Sequence, residues 1–155
     1  MMTMASAVLS VLLLGAMAGL FFAFSTSVIP GLDAIEPERA VAAMRSANRK
    51  ILNPLFLPVF LAANVAPLVT GVLLLTQGRP SAGIAFLAAG GVYVVGAFVV
   101  TMAINVPMNN ALEAGTGPAE RLWADYSPGW QRWNVIRGLA SLLALGVAAA
   151  GLLLW

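Results

Sequence analysis

The sequence predicts an all-α membrane protein: a four-transmembrane-helix bundle with an amphipathic helix in its first loop and a short helix in its third. Three observations carry this. The 155-residue chain is 61% hydrophobic and only 9% charged, with a mean hydropathy of +0.93, far from the balance of a soluble domain. Four apolar runs, about 5–29, 55–76, 82–106 and 135–155, are each long enough to cross roughly 30 Å of hydrocarbon at about 1.5 Å per residue. The charged residues fall mostly between those runs, and the remaining chain is too short for a second domain. Residues 1–155 therefore read as a single integral membrane domain.

The first run starts without Lys or Arg and is longer than the apolar core of a signal peptide, which predicts a retained span. Near its end Phe21, Ser25 and Val28, or Phe22, Thr26 and Ile29, share a side before Pro30-Gly31, a pair expected to break the helix. The hydroxyls of Ser25, Thr26 and Ser27 have an ordinary use in bonding back to their own helix carbonyls.

The loop from Gly31 to Asn53 holds three acids and four bases and so belongs in water or among headgroups. Pro37 suits a first helical position, and Glu38 early with Arg45, Arg49 and Lys50 late complements the helix dipole. Val41, Met44, Asn48, Ile51 and Leu52 share one face, the pattern of an interfacial amphipathic helix. Asn48 is the exception on that face, an amide that must find a partner or serve a site.

Asn53-Pro54 opens the second span, which carries Pro58, Pro67 and Asn64; prolines kink membrane helices and free carbonyls that an amide can satisfy. The short turn Gln77-Gly78-Arg79-Pro80 forces an antiparallel hairpin with the third span. There Ala88, Ala89, Gly90, Gly91 and Gly96 permit close helix approach. Gly115-Thr116-Gly117-Pro118 ends that helix, Thr116 or Pro118 starts a short one bearing Glu120, Arg121, Trp123 and Tyr126, and Ser127-Pro128 is expected to cap and open the last span.

Seven of the eight Lys and Arg residues lie in or beside the first and third loops. The positive-inside rule then places those loops in the cytoplasm and both termini outside, as in a multi-pass protein of a bacterial inner membrane. A faint repeat joins Ile29-Pro-Gly-Leu-Asp-Ala-Ile to Val106-Pro-Met-Asn-Asn-Ala-Leu at an offset of 77 residues, as if two related helical hairpins formed the bundle.

Two polar faces stand out from this apolar background. Thr101, Asn105 and Asn109 recur at helical spacing around Pro107, with Asn110 beside them. Trp130, Trp133, Asn134 and Arg137 do the same at the start of the last span. If the two faces meet, with Asn48, Phe21 and Phe22 nearby, they enclose a pocket with flat aromatic walls, neutral amides and one permanent cation. That chemistry suits a planar aromatic molecule with oxygen substituents and stabilises a developing enolate or phenolate. The tryptophans also fit an interfacial belt and single asparagines also serve interhelical bonding. Arg137 lies about two turns inside a span, where ionisable groups usually face the interior and mark function.

The chain has no cysteine and no histidine. Haem and iron–sulfur ligation, thiolate nucleophiles, disulfides and His- or Cys-based zinc, copper and iron sites lose their usual ligands. No cofactor or metal is therefore expected. The net charge of +2, with bases beside acids, gives no patch for nucleic acid. The expected partners are a lipophilic aromatic small molecule, molecular oxygen and membrane lipid, and small-residue faces leave a homo-oligomer open.

The segments IPGLD after the first span, NRKILNPLF before the second, NVPMNNAL after the third and WQRWNVIR opening the fourth resemble the anthrone oxygenase-like family of four-span membrane proteins, formerly catalogued as a domain of unknown function. The resemblance covers nearly the whole chain. It implies a monooxygenase-type conversion of an anthrone to an anthraquinone by molecular oxygen with no recognised cofactor. The positions it carries over are Asn48, Asn53, Asn105, Pro107, Asn109, Trp130, Trp133, Asn134 and Arg137. Catalytic roles are expected for Asn105, Asn109, Asn134 and Arg137; Trp130, Trp133, Asn48, Phe21, Phe22, Asn53 and Asn110 are expected to bind substrate. Without histidine, a substrate proton must go to Asp33, Glu113, Asp125 or water, and Asp125, five residues before Trp130, is the preferred base. The alternative is a non-enzymatic membrane protein holding a lipid, quinone or partner helix in the same pocket. Proton-coupled export is disfavoured, since no span carries a central carboxylate.

Overall fold

The computed structural model describes residues 2–155. Five helices account for the fold: α1 (Met2–Asp33), α2 (Pro37–Lys50), α3 (Phe56–Thr76), α4 (Pro80–Ala114) and α5 (Ala119–Leu153). All but α2 are long and apolar enough to cross a membrane, so the chain is a multi-pass integral membrane protein. Among the described residues there is no strand. Helix α1 packs on α3 and α5, and α4 packs on the same two, a closed four-helix arrangement. Glycines set the closest approaches: a Cβ at Gly96 would collide with that of Ala140, and one at Gly71 would come within 2.8 Å of the Gly83 carbonyl oxygen.

Helix α1 does not break at Pro30-Gly31. It passes through a π-helical turn at Phe24–Val28 and continues to Asp33. A proline ring clashes with the carbonyl four residues back and removes an N–H; a wider turn that bonds five residues back relieves both. The same device recurs in α4, where the π-helical turn Thr101–Asn105 precedes Pro107. The two turns are related by the 77-residue offset read in the sequence, which gives the repeat a structural counterpart.

The third-loop helix and the last span are one helix, running through Pro128 instead of restarting there. Pro128 and Ala124 both lie on the exposed side, so the carbonyl that the proline leaves unbonded faces outward, where solvent can satisfy it. The apolar face of α2 likewise differs from a purely lipid-facing one. Ala40, Val41 and Met44 are buried in a cluster with Leu112, Trp123 and Tyr126. Arg45 fixes α2 to the end of α4, donating from Nε and Nη2 to the Leu112 carbonyl at 3.0 and 2.7 Å and from Nη2 to the Gly115 carbonyl at 2.6 Å. A guanidinium bonding final carbonyls is a favourable C-terminal cap.

One departure from uniform packing positions the site. From the turn at Gly78, where φ is +73°, α3 lies close along Pro80–Tyr93 but separates from Val94–Asn105. The space between the two helices there is lined by both and by α2, and the Phe60 and Phe98 rings, 5.5 Å apart, bridge it.

Candidate functional site

The inner face of α5 brings Trp130, Asn134, Arg137 and Ser141 into the bundle, all buried. Their spacing is that of one helical face. Opposite them, the π-helical turn of α1 disturbs the backbone ladder and leaves carbonyls for side chains. Asn134 Nδ2 donates to the Phe21 carbonyl at 2.8 Å and to Ser25 Oγ at 2.7 Å, and Gln131 Nε2 donates to the Ser25 carbonyl at 2.7 Å. Thr26 makes only the expected back-bond, to the Phe22 carbonyl at 2.9 Å.

Arg137 is 6% exposed. Its Nη2 donates to Asn134 Oδ1 at 2.8 Å and its Nη1 to Thr101 Oγ1 at 3.2 Å. The guanidinium carbon lies 4.6 Å from the centroid of Phe21 and 5.2 Å from that of Trp130, and Nε is buried without a partner. Among the described residues the ion pairs are Arg39–Glu36, Arg49–Glu113 and Arg121–Asp125, so Arg137 has no carboxylate. A desolvated cation held by neutral groups and two aromatic faces attracts any anion that can reach it.

These groups form the floor of a cavity of about 530 Å³, within the range of small-molecule sites. Asn109 supports one wall, its Oδ1 accepting from Tyr126 OH and Trp130 Nε1, each at 2.8 Å. That pairing locks the Trp130 ring, which lies 5.6 Å from the Phe24 ring. Asn48 lines the cavity from α2, its amide nitrogen buried and unpartnered. Arg49 and Glu113 line the mouth and join across it at 2.6 Å.

The structure therefore brings together Phe21, Asn48, Asn109, Asn110, Trp130, Asn134 and Arg137 from the sequence-derived set. Five others lie off the cavity. Asp125 is exposed and paired with Arg121 at 3.9 Å; at about 100° per residue it falls roughly 140° around the helix from Trp130. Phe22 is 59% exposed, since neighbouring residues on a helix cannot share a face with Phe21. Trp133 is half-buried at the edge of the α5 face. Asn53 caps α3, its Oδ1 accepting from the backbone N–H of Leu55 and Phe56 at 3.0 and 2.9 Å. Asn105 is 1% exposed and both its amide atoms are unpartnered, but it lies outside the lining.

Sequence reasoning left out Tyr126, four residues before Trp130 on the same face, where spacing alone could have found it. It also left out the Arg49–Glu113 pair, which no local signal joins, and the apolar wall of Phe24, Phe56, Phe60 and Phe98. Of the three candidate proton acceptors, Glu113 lines the cavity. Asp33 instead accepts from Trp123 Nε1 at 2.9 Å and Ser127 Oγ at 2.7 Å. Among the described residues no three acidic side chains converge as a metal cluster requires.

A family model described as anthrone oxygenase matches residues 42–147 of the chain, a stretch holding α3, α4 and most of the cavity. No curated protein and no solved structure matches it.

Proposed function

The chain belongs to the anthrone oxygenase family, and from that premise we propose that it oxidises a lipophilic planar aromatic molecule, anthrone- or quinol-like, with molecular oxygen and no cofactor. The observation that carries this reading is Arg137: a buried cation without a carboxylate, on the floor of an aromatic-walled cavity. A site built this way favours the ionised form of a weakly acidic ring system, because a cation in a dry environment stabilises developing negative charge strongly.

An anthrone reacts at the CH₂ of its central ring. The ring CH₂ loses a proton toward the cavity mouth, where Glu113 and water accept it, and the resulting enolate oxygen rests on the Arg137 guanidinium. The enolate carbon passes one electron to O₂, and the radical pair joins as a C–O bond to give a peroxide, which takes up a proton. Loss of the second C–H proton drives cleavage of the O–O bond; the carbon becomes a carbonyl and hydroxide leaves as water. One O₂ and one CH₂ thus become one C=O and one H₂O. The electrons come from the substrate itself, which is why a chain without histidine or cysteine suffices.

Trp130, Phe21 and Phe24 supply faces for the ring system. The Lys and Arg bias supports a cytoplasmic placement of the mouth. The same cavity also supports non-enzymatic holding of a lipid or quinone, a reading favoured by its exposed apolar rim.

The test is to load purified protein in detergent with anthrone under argon, add oxygen and follow anthraquinone absorbance. Oxidation about tenfold or more above protein-free detergent, lost in Arg137→Met, is expected. Anthrone that binds without faster oxidation would overturn the oxygenase reading and leave the binding one.

A further inference from the structure

The route into the cavity is a separate question from the reaction inside it. Leu52, Leu57, Leu61 and Met102 line the cavity and are 66%, 38%, 53% and 51% exposed. The last three frame the gap where α3 parts from the second half of α4. Those three sit within membrane-spanning helices, so the exposed side of this rim faces hydrocarbon. The end toward the loops is built differently. There Arg49 and Glu113 close on each other at 2.6 Å, and Arg45 holds α2 over the end of α4 through the Leu112 and Gly115 carbonyls.

We propose that the cavity fills and empties sideways, through the Leu57–Leu61–Met102 gap, with an uncharged hydrocarbon-soluble molecule taken from the bilayer, while the Arg49–Glu113 pair seals its aqueous end. An apolar rim imposes no desolvation cost on a molecule already in lipid, whereas a charged solute crossing it would lose its hydration. The ligand therefore crosses as a neutral species and meets charge only at the floor, near Arg137. The arrangement admits oxygen, which dissolves in hydrocarbon, by the same path, and it keeps bulk water from Arg137.

The test uses the full chain in liposomes containing a phosphatidylcholine with a diazirine midway along one acyl chain. After photolysis, adducts are expected on the inner residues Phe60 and Phe98 as well as on the outward-facing Val65 and Val69. Leu61→Trp, or Met102→Trp on the opposite rim, is expected to abolish the inner adducts and keep the outer ones. Inner residues unlabelled in the wild type, or labelled equally in both rim variants, would overturn the lateral route. The aqueous seal is read separately with Phe98→Cys, the chain's one thiol, and a membrane-impermeant maleimide. Slow labelling that accelerates when Arg49→Gln is added is expected; fast labelling with the pair intact would overturn the seal. Neither readout depends on turnover, so the route can fail while the oxygenase reading stands, or stand while that reading fails.

Discussion

Arg137 donates from Nη2 to the side-chain oxygen of Asn134, one turn earlier on α5, at 2.8 Å, and Asn134 spends both its N–H bonds on α1. The amide thus works as a brace with a fixed orientation, its oxygen toward the cation and its nitrogen toward the opened backbone of the π-helical turn. An aspartate there would keep the shape but reverse the electrostatics. It would give Arg137 a permanent counter-ion and lose the two donations to Phe21 and Ser25. Asn134→Asp is expected to fold, and to lose about tenfold or more in affinity for an anionic hydroxyaromatic, since a neutralised cation no longer rewards the anion. Isothermal titration in detergent measures it; affinity equal to wild type would show that Arg137 is not the anion site.

The cation also fixes a direction of pH dependence. A phenol bound beside an unpaired guanidinium is stabilised as phenolate, so its ionisation midpoint must fall relative to the same phenol in empty micelles. A coloured hydroxyanthraquinone reports this directly. Bound to the wild type it is expected to ionise about one unit or more lower in pH, each unit being about 1.4 kcal/mol of preference for the anion. Arg137→Met should return the midpoint to the micelle value or above it. A midpoint that does not move with the dye bound would remove the electrostatic basis of the proposed chemistry.

Asn109 serves a different purpose, since its oxygen takes two donors, from Tyr126 and Trp130. Asn109→Ala strands both in a buried wall, which is expected to cost about 1–3 kcal/mol. Tyr126→Phe removes one donor together with its need for a partner and should cost less. Thermal unfolding followed by intrinsic fluorescence compares the two. Equal losses would mean that the tyrosine hydroxyl, rather than the amide, holds the wall.

Much of this was legible in the sequence because membrane helices advertise themselves: unbroken apolar runs, charges confined to loops, and a polar face at helical spacing on α5. Trp130, Asn134 and Arg137 were found by that spacing, and Asn48 by its misplacement on an apolar face. What the sequence concealed depends on changes of period. Pro30 and Pro128 read as breaks, yet a π-helical turn absorbs the first and an outward-facing carbonyl the second. The turn at Thr101–Asn105 holds more residues than an α turn, so a stripe drawn at strict α spacing goes out of register; Thr101 and Asn109 reach the cavity and Asn105 does not. Asp125 was favoured by proximity along the chain, but helical rotation carries it to the outer face. The Arg49–Glu113 pair joins residues 64 apart, a relationship that only the packing of α2 on α4 creates.

Glu113 allows the acid–base part of the mechanism to be examined apart from binding. It is the carboxylate at the cavity mouth, 2.6 Å from Arg49, and so the side chain placed to take a proton leaving the cavity. Glu113→Gln is expected to lower the rate of anthrone oxidation at neutral pH while leaving anthrone affinity within about twofold, since the floor is unchanged. The deficit should shrink as pH rises and hydroxide replaces the carboxylate. A rate unchanged at every pH would assign the proton to water alone.

Asn105 poses the sharpest conflict between stability and use. Its amide is buried with neither atom bonded, a state that costs about 1–3 kcal/mol relative to a satisfied or apolar side chain. Leucine is close in size and needs no partner, so Asn105→Leu should raise the thermal unfolding midpoint. The catalytic role that the sequence leads one to expect for this asparagine requires that anthrone oxidation fall in the same variant. A more stable protein with full activity would show Asn105 to be a structural cost without a catalytic return; a less stable one would show that the amide contributes to the packing of α4.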